Sequence, residues 1–212
     1  MSLGHALLAL LETRPMTGYE LAQQFDRSVI FVWHARHSQI YPELRRLEGD
    51  GLVRAETASR GTRATKRVYS ITQEGCAELE RWVTEVRLPT RERDAGYLKA
   101  TYFEFVSFAI ARRQFEAHLA HYRQLQEQWE DHAGELERRE TALIKRRLSL
   151  APERAHDAVV AYKVHVYRGL VERARTEVEW ARRGLELVDR LEADAGAEPG
   201  LAVAPPVPPQ AG

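Results

Sequence analysis

The chain has 212 residues, and its 31 Lys and Arg balance its 31 Asp and Glu, so the formal net charge is zero. With 44% hydrophobic and 29% charged residues, the composition is typical of a globular protein, and the length allows one large domain or two small ones. No apolar run reaches the ~20 residues of a membrane span, and the N-terminal apolar stretch lacks a basic leader. The single cysteine, Cys76, excludes an intrachain disulfide framework. We therefore expect a cytoplasmic protein.

The distribution of glycine, proline and apolar residues predicts four segments. Residues 1–86 contain the predicted strands and form a first domain, and residues 87–94 form a polar linker around Pro89. Residues 95–192 have long helical periodicity and form a helical domain. Residues 193–212 hold five of the nine prolines, a composition that cannot bury a core, so we predict a disordered tail there.

Three helices are predicted at the start of the first domain. Apolar residues spaced by three or four predict a helix over residues 3–11, which ends before Pro15. Thr17 and Glu20 have the spacing of a capping box, in which each side chain binds the backbone N–H of the other residue, so a second helix begins there. The third helix is expected to begin at Ser38 and to bury three apolar residues: Ile40, Leu44 and Leu47.

Two strands and a fourth helix follow. Leu52–Glu56 and Lys66–Thr72 are predicted strands, and the polar, glycine-containing segment Thr57–Thr65 predicts a hairpin turn between them. The fourth helix starts near Thr72, and its apolar residues are expected to face inward: Leu79, Trp82, Val83 and Val86. Short helices followed by a two-stranded hairpin are typical of a winged helix-turn-helix. The predicted fold is therefore mainly α with a small two-stranded β wing, followed by a coiled-coil-like domain of long helices.

Basic residues are concentrated on the third helix and the wing. Residues 36–67 hold eight Arg and Lys against four Asp and Glu, a local charge of +4 in a neutral chain. DNA binding needs such a local concentration because it neutralises phosphates. We therefore predict a DNA-contacting set on the second helix, the third helix and the wing: Thr17, Tyr19, Ser38, Gln39, Tyr41, Arg45, Arg60, Arg63 and Lys66.

The roles within this set follow from side-chain chemistry. Gln39 can pair with adenine through two hydrogen bonds, and Arg45, further along the same helix, can hold a phosphate. Thr17 and Tyr19 can position the DNA backbone through hydroxyls and free N–H groups. The basic residues of the wing can enter the minor groove or bind phosphate. The alternative for each is a solvated surface residue or, for Tyr41, a buried aromatic.

Three strings resemble the PadR family of bacterial transcriptional regulators: Gly18–Leu21, Gln39–Glu48 continuing to Gly51-Leu52-Val53, and Arg67–Gly75. The resemblance covers about residues 3–86 closely and residues 95–190 more loosely. It implies a winged-helix DNA-binding domain, a helical C-terminal part that forms a dimer, and a repressor. The wing segment Arg60–Lys66 departs from the glycine- and proline-containing basic turn that the family often has.

The last helix is predicted over residues 155–192, which corresponds to roughly 57 Å. Its apolar residues alternate in steps of three and four, the pattern of a coiled coil. We expect a homodimer, because symmetric DNA readers need two half-sites about 34–36 Å apart. A helical hairpin within one chain is the alternative. The predicted dimerisation residues are Val160, Val164, Tyr167, Val171, Val178, Leu185 and Val188.

Aromatic residues are dense just after the predicted linker. They predict a pocket for a flat apolar effector, since ligand sites are mostly lined by apolar and aromatic side chains. Several members of the PadR family respond to small aromatic compounds, which favours the same hypothesis. The alternative is an ordinary aromatic core. The predicted pocket residues are Tyr97, Tyr102, Phe105, Phe108 and Trp129.

Together these observations predict a ligand-responsive regulator that binds double-stranded DNA at an inverted repeat as a homodimer and is released by a small aromatic effector. An enzyme is not expected, because the eight histidines are scattered and no phosphate-binding loop or nucleophile elbow is present. No metal or cofactor is predicted, since a full ligand set is missing. Two alternatives stay open: a winged-helix protein-interaction module that does not bind DNA, and a helical small-molecule enzyme.

Overall fold

The computed structural model describes residues 2–25, 37–60, 64–88 and 94–195, with backbone alone for residues 2, 37, 58–60 and 64–65. The chain divides into two compact units. The first comprises Met1–Pro89 and Lys145–Ala151, and the second comprises Thr90–Ile144 and Pro152–Gly212. Most of the predicted linker and all of the predicted tail after Ala195 lie outside the described residues.

Among the described residues, four helices and three strands form the N-terminal part of the first unit. They are α1 (Ser2–Leu11), β1 (Met16–Thr17), α2 (Gly18–Gln24), α3 (His37–Gly49), β2 (Val53–Arg60), β3 (Ala64–Ile71) and α4 (Gln73–Thr84). This order of helices followed by an antiparallel hairpin confirms the predicted winged-helix fold class.

The sheet differs from the predicted two-stranded wing in two respects. It has three antiparallel strands in the order β1-β3-β2, because Met16 and Thr17 pair with Tyr69 and Val68. A strand of two residues is too short to show alternation, which is why the sequence pattern missed it. The hairpin is also longer than predicted, since β2 and β3 continue pairing through most of the expected turn, as far as Arg60 and Ala64.

The apolar stripes of the helices form the core of the first unit. Ile40, Leu44 and Leu47 of α3 are at most 1% exposed, as predicted. The expectation for α4 was wrong at two positions: Val83 is 70% exposed and Val86 is 95% exposed. The helix ends at Thr84, so Val86 lies outside the helical periodicity that the prediction assumed.

Helices dominate the second unit. Its elements are α5 (Ala95–Ala100), a 3-10 turn (Phe103–Phe105), the long helix α6 (Phe108–Glu137), a second 3-10 turn (Glu153–Ala155) and the long helix α8 (His156–Ala195). Between them lies α7 (Ala142–Leu150), whose last six residues belong to the first unit. Within the described ranges, no helix combines the length and the apolar character needed to cross a bilayer.

The long helices α6 and α8 pack side by side in opposite directions. Ion pairs and hydrogen bonds join Arg112 to Asp189 near one end and Glu137 to Arg168 near the other. Six of the seven predicted dimerisation residues are less than 10% exposed in the single chain, and Leu185 is partly buried: Val160, Val164, Tyr167, Val171, Val178, Leu185 and Val188. The apolar stripe of α8 is therefore buried within one chain, and its role in a dimer stays a prediction.

Candidate nucleic-acid interface

The side of α3 opposite its buried stripe carries four of the predicted DNA-contacting residues. We call Ser38, Gln39, Tyr41 and Arg45 the α3 outer face; all four are exposed. The Tyr41 ring covers the backbone of Gly18, where an added Cβ would lie 2.6 Å from the ring atom Cε1. Tyr41 is nevertheless 45% exposed, so it is not the buried aromatic of the alternative interpretation. The close approach of α2 thus orients Tyr41 without burying it.

Ion pairs neutralise three arginines that the local charge count included. The pairs are Arg46 with Glu43 (2.7 Å) and Asp50, Arg67 with Glu48 (2.5 Å), and Arg54 with Glu56 (3.4 Å). The hydrogen bonds that Arg46 donates to Glu43 raise the pKa of Arg46 above its ordinary value, and the charges of Glu43 and Asp50 add to this effect. These four carboxylates are the acidic residues already included in the count, so the net local charge of +4 is unchanged and is carried by the basic residues outside these pairs.

Arg45 differs from its neighbour Arg46. Its side chain is exposed and forms no ion pair or hydrogen bond with the part of the chain that the structure describes. An exposed guanidinium without a carboxylate partner is available for a phosphate, whose oxygens match its planar set of donors. Arg45 is therefore the strongest candidate for a phosphate contact on the α3 outer face.

The start of α2 holds a capping box, as predicted. The Thr17 N–H donates to Oε2 of Glu20 (2.8 Å), and the Glu20 N–H donates to the Thr17 hydroxyl oxygen (3.2 Å). The bond from the Thr17 backbone is the largest cause that lowers the pKa of Glu20. Thr17 thus has a structural role in starting α2. Tyr19 is 65% exposed, and its hydroxyl accepts a hydrogen bond from Gln23 (2.9 Å).

The wing holds the other predicted basic contacts. Lys66 is exposed on β3, and within the described ranges it has no ion-pair partner. Arg63 and the side chain of Arg60 lie outside the described residues, so their contacts stay predictions.

The five predicted effector-pocket residues do not share one contact cluster. Tyr97 stacks on Trp180 with 4.3 Å between ring centroids. Tyr102 and Phe105 stack on each other and are largely exposed. Phe108 packs against the cluster that contains Phe115 and Trp180, so it is linked to Tyr97 through the Trp180 ring. Trp129 is buried in α6, and its indole N–H has no hydrogen-bond partner among the described residues. The existence of an effector pocket therefore stays a prediction.

A buried carboxylate that the sequence analysis missed lies beside Tyr97. Glu177 of α8 is 8% exposed, and its Oε2 atom accepts hydrogen bonds from the Tyr97 hydroxyl (3.2 Å) and lies 3.0 Å from Nε2 of His118. Burial, followed by the Glu177 charge, raises the pKa of Tyr97 to about 12. The sequence feature that could have indicated Glu177 is its position directly before Val178, which belongs to the predicted apolar stripe of α8.

No candidate metal site is found among the residues for which the structure gives side chains. No three His, Cys, Asp or Glu side chains there lie close enough together to hold an ion. Cys76 is exposed on α4.

Comparison with known proteins gives a family match, one relative that is similar over about half of its length and one that is similar over nearly all of it. Residues 7–81 match the model of the "Transcriptional regulator PadR-like family". The chain is 47% identical over 91 residues to the "Probable transcriptional regulator Rv1176c" of Mycobacterium tuberculosis, a match that covers 43% of this chain and 48% of that protein. It is 28% identical over 189 residues to the "Negative transcriptional regulator PadR" of Bacillus subtilis, covering 89% of this chain and 98% of the relative.

Solved structures of the Bacillus subtilis protein are similar over the same extent. Its complex with operator DNA matches with a TM-score of 0.67 and 26% identity, covering 89% of this chain and 98% of that one. Its complex with p-coumaric acid matches with a TM-score of 0.60 and 24% identity, covering 89% and 99%. The similarity thus extends through both units of the chain.

Proposed function

We propose that this chain, whose residues 7–81 match the PadR-like family of transcriptional regulators, is a sequence-specific repressor that binds an inverted-repeat operator as a homodimer. In this proposal α3 enters the major groove, and the wing contacts phosphate or the minor groove. The protein acts on DNA in the cytoplasm and has no catalytic role.

The observation that carries the proposal is the composition of the α3 outer face. The buried stripe of α3 fixes the helix against the core, so the opposite face presents to solvent a glutamine, a tyrosine and an arginine that has no ion-pair partner among the described residues. Gln39 can distinguish bases through its amide, whereas Arg45 can bind a phosphate irrespective of sequence. One face therefore offers both the contact that specifies sequence and the contact that positions the helix.

The dimer and the repressor role rest on the relatives. The Bacillus subtilis relative is named a negative regulator and has a structure with operator DNA. Two copies of α3 can occupy the same side of a duplex only when they are held about 34–36 Å apart, which a dimer achieves. Sedimentation equilibrium of the purified protein is expected to give twice the monomer mass, and a monomer at micromolar concentration would contradict the dimer.

DNA binding can be tested by fluorescence anisotropy. The full chain is titrated with a duplex from upstream of its own coding sequence and with a random duplex of equal length, over a series of salt concentrations. We expect the upstream duplex to bind about a thousandfold more tightly, with affinity that falls steeply as salt rises. Gln39→Ala should reduce this preference, whereas Gln73→Ala, an exposed glutamine at the start of α4, should not.

Failure to bind any duplex at low salt would contradict DNA binding. It would favour the winged-helix protein-interaction module, because that function needs no salt-dependent affinity for DNA. Equal weak binding to both duplexes would contradict the proposed upstream operator and would call for selection of binding sites from random DNA.

We propose in addition that a small aromatic carboxylic acid releases the protein from DNA. A structure of the Bacillus subtilis relative holds p-coumaric acid, and this chain carries a cluster of aromatic rings around Tyr97 and Trp180. Adding p-coumaric acid to the anisotropy assay is expected to weaken operator binding, and hexanoic acid, which lacks a ring, is the control. Unchanged affinity with both acids would contradict an aromatic effector of this class.

A further inference from the structure

The C-terminal end of α1 receives its positive charge from a distant part of the sequence. A helix leaves its last carbonyl groups without partners, and basic side chains stabilise that end. The last turn of α1 contains no basic residue of its own. Arg146 and Arg147 of α7 fill this role, and we call this pair the arginine clamp.

The contacts of the arginine clamp are specific. Arg147 donates to the carbonyl oxygen of Ala9 (3.2 Å) and forms an ion pair with Glu12 (2.8 Å). Arg146 donates to the carbonyl oxygen of Thr13 (3.2 Å). The side chain of Arg147 is 28% exposed, so its bonds are partly shielded from water. Such charge-assisted bonds are stronger than neutral ones.

The arginine clamp is joined covalently to the second unit at both ends. The segment Lys145–Ala151 belongs to the first unit, whereas Ile144 before it and Pro152 after it belong to the second. The helix α7 is continuous across the first of these boundaries, from Ala142 to Leu150. A change in the second unit that rotates the start of α7 therefore also moves the two arginines.

From α1 the connection continues to the α3 outer face. Gly4 of α1 lies so close to α3 that an added Cβ would be 2.5 Å from Oε1 of Glu43 and 3.0 Å from a guanidinium nitrogen of Arg46. Arg46 is the chain neighbour of Arg45 of the α3 outer face. Since packed helices shift as rigid bodies, a displacement of α1 is transmitted to α3.

We propose that the arginine clamp couples the second unit to DNA binding by fixing α1, and through α1 the position of α3. This inference rests on the proposed DNA-binding function. Coupling of this kind is reciprocal, so DNA bound to the first unit must alter the second unit by the same free energy with which the second unit alters DNA affinity. The effect of DNA on the second unit can therefore be measured without a known effector.

The test is hydrogen exchange, read by mass spectrometry, of the full chain with and without saturating operator duplex. In the wild type we expect DNA to change amide exchange in α6 and α8 as well as in the first unit. Arg147→Met keeps an aliphatic side chain but removes the bonds to α1, and it is expected to lose the change in α6 and α8. Arg146→Met removes a single bond and should reduce that change partly, which provides a milder variant if the first is unstable.

Lys145→Met is the matched control. Lys145 is exposed on the same helix and pairs with no group in the described part of the chain, so its loss changes the charge equally without affecting α1. Its exchange pattern should match the wild type. DNA binding with an unchanged response of α6 and α8 in Arg147→Met, or with no response there in the wild type, would overturn the clamp alone. Absence of DNA binding by the wild type would overturn the proposed function and the clamp together.

Discussion

The helices α3 and α8 are both amphipathic, but they leave different faces to solvent. The apolar stripe of α3 is buried in the first unit, and its exposed side carries Gln39 and Arg45. The apolar stripe of α8 is buried within the same chain, where Ala174 and Ala181 are fully covered, and its exposed side is mostly charged. The exposed side of α3 is thus suited to DNA, whereas the apolar stripe of α8, its most regular feature, packs within the chain.

The difference shows what an apolar stripe establishes. Periodicity identifies the side of a helix that is buried, but it does not identify the surface that covers it. For α8 the stripe predicted a second chain, and the structure covers the stripe within one chain. For α3 the functional information lies in the exposed positions and in which charges lack a partner.

The largest effect is expected where the long helices pack most tightly. Phe115 of α6 is 6% exposed and contacts Phe103 and Trp180 edge to face. Phe115→Ala should lower the free energy of unfolding by about 3–5 kcal/mol because it leaves a cavity. Chemical denaturation measures this value, and Phe105→Ala, at a ring that is 44% exposed in the same unit, should cost much less.

A second substitution tests the same contact by adding a side chain to it instead of removing one. A Cβ at Gly184 of α8 would lie 2.6 Å from Cζ of Phe115, so Gly184→Ala should cost about 1–3 kcal/mol in the wild type. In the Phe115→Ala background the space is empty, and the higher helix propensity of alanine should stabilise the chain by about 1 kcal/mol. If Gly184→Ala lowered the free energy of unfolding in both backgrounds, the contact between Gly184 and Phe115 would be contradicted.

An intermediate effect is expected at the start of α2, where Gly18 contacts the Tyr41 ring. Thr17→Ala removes the capping hydroxyl and should cost about 1 kcal/mol in chemical denaturation. Thr176→Ala, an exposed threonine on α8, is the control and should change stability by less than about 0.5 kcal/mol. Equal costs for both would indicate that the cap has no role in α2.

The same cap predicts a dependence on pH. The pKa of Glu20 is lowered in the folded chain, so its stabilisation is present above its ordinary value of 4.5 and is lost as pH falls through the lower folded value. The difference in unfolding free energy between the wild type and Glu20→Gln should therefore shrink as pH is lowered below about 4.5. A difference that is constant from pH 7 into the acid range would contradict the role of the carboxylate.

The smallest effect is expected at the end of α6. Arg139 has a left-handed backbone with φ of 57°, and the Glu140 N–H bonds to the Glu135 carbonyl (2.8 Å) across the turn. Arg139→Gly should raise the free energy of unfolding by about 0.5 kcal/mol, because glycine adopts this conformation freely and the lost ion pair with Asp157 is exposed. Arg138→Gly, at a right-handed position, should instead destabilise the chain.

The sequence predicted those features that depend on local periodicity and capping. The buried stripe of α3, the capping box at Thr17 and a last helix over nearly the observed length were all accessible, because neighbours along the chain determine them. The strand β1 was not, since two residues carry no period and its partner Tyr69 is distant in sequence. The exposure of Val86 was not predicted either, because no glycine or proline marks the end of α4 at Thr84.

The position of the candidate site could be predicted from the sequence, but the pairing of its charged residues could not. Local spacing placed Gln39, Tyr41 and Arg45 on the exposed side of a helix. Which arginines are neutralised depends on partners from other elements, such as Glu48 for Arg67. The arginine clamp was equally inaccessible, because it joins residues more than a hundred positions apart.

The central claim is that the α3 outer face binds DNA through Arg45, which has no ion-pair partner in the described part of the chain. The pair of substitutions Arg45→Ala and Arg46→Ala tests this claim most directly. The salt dependence of operator affinity counts phosphate contacts, so the loss of one contact lowers the slope by about one. We predict that Arg45→Ala lowers this slope without changing stability, and that Arg46→Ala, whose guanidinium is held by Glu43 and Asp50, keeps the slope. An unchanged slope in Arg45→Ala would contradict the account.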